Sequence, residues 1–147
     1  MILGIDHVGL ATPDLARAGQ QLAKLGLARF EAGAADAYGV DCEFWQLDGS
    51  PASFAVELVA PTRDESAISS RLAKSGAGLY HIAFEVDDLA AEMDRLRSSG
   101  CVPVDAQPCA GARDGMTVAF MYLGRPVNLM IELVRYERPR RPAPATT

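Results

Sequence analysis

The segment Ile5-Asp6-His7-Val8-Gly9-Leu10 returns as Leu79-Tyr80-His81-Ile82-Ala83-Phe84, and the repeat extends well beyond these strands. Both copies run into an acidic turn, Pro13-Asp14-Leu15 or Asp87-Asp88-Leu89, and then into a helical pattern that stops at Gly26 or Gly100. One offset of 74 residues superimposes His7 on His81, Asp14 on Asp88, Leu15 on Leu89 and Gly26 on Gly100. The chain has two histidines, and both take the same place in the repeat. The closing strands match as well. Phe54-Ala55-Val56-Glu57-Leu58-Val59 aligns with Leu129-Met130-Ile131-Glu132-Leu133-Val134 at an offset of 75, which sets Glu57 against Glu132. A chain built this way folds as two copies of one unit.

Within each copy the hydrophobic pattern reads βαβββ. Residues 3–10 alternate as a strand that places Ile5, His7 and Gly9 on one face. Thr12 or Asp14 can cap the next helix, Leu15, Ala18, Leu22 and Leu25 space its apolar stripe, and Gly26 ends it. A short strand from Leu27 to Glu31 is followed by a loop over 32–37 and a two-faced strand. In that strand Val40, Cys42 and Phe44 alternate with Asp41, Glu43 and Trp45. Asp48-Gly49-Ser50-Pro51 turns the chain into a strand over 53–59. A short helix over 65–74 and the connector 75–78 then separate the halves, so the first module with its linker helix spans 1–75. The second module, 76–136, repeats the order with strand 79–86, helix 89–99, short strand 101–104, loop 108–114 and strands 116–123 and 128–134. The tail 137–147 sets Pro139, Pro142 and Pro144 among basic residues and is expected to be disordered. Neither sheet is large enough to stand alone. The fold class is therefore α+β, with two βαβββ modules pairing into one cupped mixed sheet with flanking helices, a single structural domain.

Charge and composition remove several functions. A net charge of −5 argues against nucleic acid and anionic membranes as partners. No apolar run reaches the roughly 18 residues of a membrane span, and the start Met1-Ile2-Leu3-Gly4 lacks the basic and apolar regions of a secretion signal. Cys42, Cys101 and Cys109 are odd in number and have no CxxC spacing, as suits reduced cytoplasmic thiols rather than a disulfide framework.

Each module thus opens on a strand bearing one His and closes on a strand bearing one Glu. A carboxylate inside a strongly apolar strand is costly unless it is paired or bound to a cation. Taken singly, each residue has a plainer reading. A strand His is more often a hydrogen-bonded core group, and alternation lets a strand Glu face water. The duplicated register changes the weighting, because four coincidences would be needed at once. Two neutral imidazoles and two ionised carboxylates suit one divalent metal ion.

At this point the pattern resembles the vicinal oxygen chelate superfamily, which includes glyoxalase I, the methylmalonyl-CoA epimerases, extradiol dioxygenases and fosfomycin-resistance proteins. The resemblance covers about residues 4–135. It implies the fold of that superfamily, a cupped sheet holding one divalent ion (Co, Ni, Zn, Mn or Fe) on His7, Glu57, His81 and Glu132. Within the superfamily, Glu57-Leu58-Val59-Ala60-Pro61, Ser66-Ala67-Ile68, and the run from Gly76 to Asp88 are similar to the methylmalonyl-CoA epimerases. So is Gly111-Ala112 before Val118-Ala119-Phe120, whereas the glyoxalase I turn Asp-Pro-(Asp/Asn)-Gly is here Leu123-Gly124-Arg125-Pro126. Two positions depart from the epimerase pattern. The carboxylate expected on the third strand falls at or next to Ala37, and a Gly-Ala-His-Gly loop is Gly111-Ala112-Arg113-Asp114-Gly115.

The resemblance implies a metal-dependent isomerase acting by α-proton transfer on an acyl-CoA such as methylmalonyl-CoA. The ion would stabilise the developing enolate as a Lewis acid, and carboxylates would remove and return the proton. Glu132 is the expected base, and Glu43, which shares the parity of position 37, is the candidate for the second. Trp45 and Phe120 are candidates to line the cavity, and Arg113 or Lys74 to meet a phosphate or carboxylate. A small-molecule substrate and a cytoplasmic homodimer complete the expectation. Three rivals share the fold: a glyoxalase-like lyase, a non-haem iron dioxygenase and a drug-sequestering resistance protein. The fourth protein ligand leaves a dioxygenase few open positions, and a drug binder needs no ligand set.

Overall fold

Asp14 and Asp88, partners in the repeat, each accept a hydrogen bond at 3.0 Å from the backbone N–H three residues on, that of Arg17 or Ala91. Each thereby caps a helix, α1 (Leu15–Ala23) or α3 (Leu89–Ser98), by satisfying an N–H that has no intrahelical partner. The computed structural model describes residues 1–143 and adds a third helix, α2 (Ser69–Ser75), and nine strands. The strands are β1 (Ile2–Ala11), β2 (Ala28–Ala35), β3 (Val40–Gln46), β4 (Ala55–Pro61), β5 (Gly78–Val86), β6 (Val102–Pro103), β7 (Cys109–Ala110), β8 (Met116–Leu123) and β9 (Leu129–Tyr136).

All nine join one mixed sheet in the order β2-β3-β4-β1-β5-β9-β8-β6, with β7 paired to β8. The centre is the antiparallel pair β1 and β5. Outward from it the halves match: a parallel neighbour (β4 or β9), then an antiparallel one (β3 or β8). A parallel neighbour requires a crossover, and α1 and α3 lie within those crossovers. One core cluster, with Val40, Phe44, Val59 and Ile68, lies inside the cup of the first half. A second, with Leu89, Met93, Met121 and Leu133, seals α3 against the sheet. The expected α+β architecture, one sheet with flanking helices, is what the chain adopts.

Four details differ from the sequence reading. The expected loop over 32–37 is strand as far as Ala35, because Ala32-Gly33-Ala34-Ala35 carries too little hydrophobic contrast to show a period. Gly33 is needed there for close approach, since a Cβ would lie 2.0 Å from the Ala112 carbonyl oxygen. Ile5 does not share the His7 face. A β-bulge falls between Ile5 and His7 in the β1–β5 ladder, and Ile5 is 47% exposed while His7 is fully buried. The helix expected over 65–74 forms only at Ser69–Ser75. The tail is not disordered over 137–143, because Arg140 and Arg141 find carboxylates that a composition argument cannot see: Glu31, Glu85 and Asp6. The remainder of that expected tail, 144–147, lies outside the described residues.

Candidate metal centre

Four adjacent strands at the middle of the sheet carry the four residues singled out by the repeat. His7 is on β1, Glu57 on β4, His81 on β5 and Glu132 on β9, and all four are buried. Across the central ladder His7 stands opposite Ala83, and His81 opposite Gly9. The small partner is a steric requirement. A Cβ on Gly9 would lie 2.1 Å from His81 Cε1 and 2.6 Å from its Nε2. Gly9→Ala is therefore expected to drive the imidazole out of position and to cost about 1–3 kcal/mol of stability. Zinc stoichiometry together with thermal unfolding checks this; full occupancy in the variant would contradict it.

One ligand atom from each residue lies within 4.8 Å of the other three. His7 Nε2 is 3.0 Å from His81 Nε2, 3.1 Å from Glu57 Oε2 and 2.9 Å from Glu132 Oε2. His81 Nε2 is 3.2 Å and 3.3 Å from the same two carboxylates. These spacings fit a divalent ion. Ligands about 2.1 Å from a metal at right angles or tetrahedral angles sit roughly 3.0–3.4 Å apart. Glu132 Oε2 is buried and lacks a hydrogen-bond partner among the described residues in spite of its approach to His7, as expected of an oxygen aimed at a shared centre rather than at its neighbour.

The electrostatics of the bare cluster follow from the same crowding. Burial alone would depress the His7 pKa, but the charge of Glu57, the hydrogen bond to Asp6 and the close approach of both carboxylates raise it well above 6.5. His81 is raised too, against its own burial, by Glu132 and Glu57. Burial would raise Glu57 and Glu132, yet the two imidazoles hold both carboxyls below the ordinary range. The site thus prefers anionic oxygens with positive charge between them, which a divalent cation supplies as well as protons do.

A cup opens beside the cluster. Val40, Val59, Ile68, Met116 and Val118 make its wall apolar, and Phe120 lines it as expected. Tyr38 closes one side by donating a 2.7 Å hydrogen bond to Asp105, tying the first half to the second.

Other sequence-predicted residues fall elsewhere. Glu43 does not reach the cup. It lies on the outer face of β3, accepting from Trp45 Nε1 at 3.0 Å and pairing with Arg29 at 2.7 Å. Parity counted from position 37 fails because residues 36–39 form a turn, with Ala37 exposed in it, and alternation restarts at Val40. Trp45 faces outward as well, against Gly19 of α1. Arg113 is buried against Asp6 and over the Phe44 ring, and Lys74 is exposed on α2. The β3 residues that line the cup are Val40 and Cys42. Of these, Cys42 is the one with a titratable group. Burial, then the charge of Glu57, pushes its thiol pKa far up, so it faces the cluster as a neutral S–H. The alternation of β3 pointed to that face. No sequence signal pointed to Asp6, whose carboxylate reaches the far nitrogen of His7.

Comparison with known proteins agrees with this fold. Ethylmalonyl-CoA/methylmalonyl-CoA epimerase of Cereibacter sphaeroides is 36% identical over 129 residues, covering 83% of this chain and 90% of that one. The crystal structure of methylmalonyl-CoA epimerase from Mycobacterium tuberculosis superposes with a TM-score of 0.82 at 30% identity, covering 93% of this chain and 90% of that one. A variant of the Streptomyces coelicolor methylmalonyl-CoA epimerase, in complex with 2-nitronate-propionyl-CoA, gives 0.83 at 28% identity, covering 94% of this chain and 100% of that one. A family model matches residues 6–120. The chain belongs to the Glyoxalase/Bleomycin resistance protein/Dioxygenase superfamily.

Proposed function

We propose that this protein is a metal-dependent epimerase of a small branched acyl-CoA, with methylmalonyl-CoA as the leading substrate. The observation that carries the reading is the convergence of two imidazole nitrogens and two carboxylate oxygens at the floor of an apolar cup. The names of its relatives support the reaction, and the analogue bound by the Streptomyces protein supports the acyl-CoA class. When bound, a divalent ion supplies Lewis-acid stabilisation of the negative charge that develops as a proton leaves the carbon beside a carbonyl.

The chain's own residues do the rest. His7, Glu57, His81 and Glu132 would hold the ion; Glu132, on giving up its place there, would take the α-proton and pass it to solvent, and a solvent proton delivered to the opposite face of the carbon would give the other epimer. The apolar wall of Val40, Val59, Ile68, Met116 and Val118 receives the acyl branch. The three cysteines are free thiols, as suits the cytoplasm, where we place the protein.

The test is a single epimer of methylmalonyl-CoA, incubated with protein carrying Co²⁺ and followed on a chiral column. Epimers that equilibrate with wild-type protein, together with about one ion per chain that is lost in His81→Ala, are the expected result. A single epimer that survives contact with the fully loaded protein would overturn the assignment.

A further inference from the structure

The repeat breaks beside the first histidine. The residue before His81 is Tyr80, which packs edge-on to the imidazole with ring centroids 5.1 Å apart. The residue before His7 is Asp6, and neighbours in a regular strand point to opposite faces. The bulge between Ile5 and His7 removes that constraint and turns the Asp6 carboxylate onto the ring beside it, with Oδ2 2.8 Å from His7 Nδ1. His81 Nδ1, in contrast, is buried and has no hydrogen-bond partner among the described residues. One histidine is oriented by a hydrogen bond and the other by packing.

Asp6 is itself held from every side. Arg113 Nη1 donates to Oδ2 at 3.0 Å and the Tyr136 hydroxyl donates to it at 3.1 Å, while Arg141 Nη1 donates to Oδ1 at 2.7 Å. Arg141 also pairs with the fully buried Glu85 at 2.9 Å, and the Arg140 backbone N–H donates to the same carboxylate at 2.7 Å. Arg140 and Arg113 both meet Glu31, each at 2.7 Å. Three guanidinium groups thus face three carboxylates in a largely buried, charge-balanced cluster. Such a cluster is weak evidence for stability, because apolar packing of similar volume would serve as well. Its product is a fixed carboxylate behind His7.

We propose that Asp6 is a positioning residue for His7, and that the segment after β9 acts through Arg141 as a clamp on Asp6. An Nδ1–H donated to a fixed carboxylate leaves Nε2 directed at Glu57, His81 and Glu132, and makes it a stronger ligand. The strand that carries Glu132 therefore continues into the segment that sets its companion His7. The consequence for metal affinity rests on the metal reading above. The orientation of His7 does not.

The test uses full-length protein and two readouts: zinc affinity by chelator competition, and the His7 Nδ1–H resonance in histidine-labelled protein. Arg141→Gln is expected to weaken zinc binding about tenfold, as loss of an outer-shell partner does. Arg140→Gln, whose side chain meets Glu31 and not Asp6, should stay within about twofold of wild type. Asp6→Ala should abolish a protected low-field Nδ1–H resonance of His7 and leave His81 unaffected. Should Asp6→Ala fail to fold, Arg141→Gln decides. Zinc binding in Arg141→Gln equal to that of wild type would overturn the clamp. If wild-type protein binds no zinc, the metal reading fails alone and the resonance decides: its absence from the wild-type spectrum overturns the positioning role, and its presence there with loss or broadening in either variant supports it.

Discussion

Glu132→Gln is expected to slow epimer equilibration by about 10²–10⁴-fold, the usual contribution of a positioned acid–base group. The amide has the shape of the carboxylate, so β9 and its pairing with β5 and β8 should be undisturbed. What is lost is an oxygen that can accept a proton, and one of the two negative charges that face the imidazoles. Measuring the rate at saturating metal separates these losses, since excess ion restores occupancy and cannot restore the base. A rate within tenfold of wild type under those conditions would place the proton transfer on another group.

Phe44→Ala is expected to cost about 3–5 kcal/mol, the range for deleting a fully buried aromatic. Phe44 has no exposed surface. Its ring meets the edge of His7 with centroids 5.5 Å apart, and the Arg113 guanidinium lies 3.7 Å above its centre. Removing the ring opens a cavity and also strips a cation–π partner from a buried charge. At roughly 2–4 °C per kcal/mol for a chain of this size, the thermal midpoint should fall by on the order of 10 °C. Phe44→Leu should recover much of that loss by refilling the space. A midpoint unchanged in Phe44→Ala would mean that the centre relaxes around the void without cost.

The four central residues were legible because a two-residue period survives inside a strand and the duplicated register multiplied four weak signals. His7, Glu57, His81 and Glu132 needed no knowledge of the turns between them. Glu43 shows where the same logic stops. Its parity was carried across residues 36–39, and a turn carries no alternation from one strand into the next. Asp6 was hidden by the bulge, which a hydrophobic pattern does not report and which places two successive side chains on one cluster. Arg140 and Arg141 looked like solvated charge because their partners lie 55 to 135 positions away in the chain. The Ala–Gly run of β2 offered no contrast between its faces, so its strand is set by the ladder it makes with β3. Local chemistry thus announced the centre, and long-range pairing decided how it is held.

Proton exchange at the substrate's α-carbon is the most direct test. Methylmalonyl-CoA would be incubated in D₂O with the metal-loaded protein and its methyl signal followed by proton NMR. The account predicts that the methyl doublet collapses as deuterium enters the adjacent carbon, in step with equilibration of the epimers, and that Glu132→Gln suppresses both. A doublet that persists beside protein carrying a full equivalent of metal would contradict it.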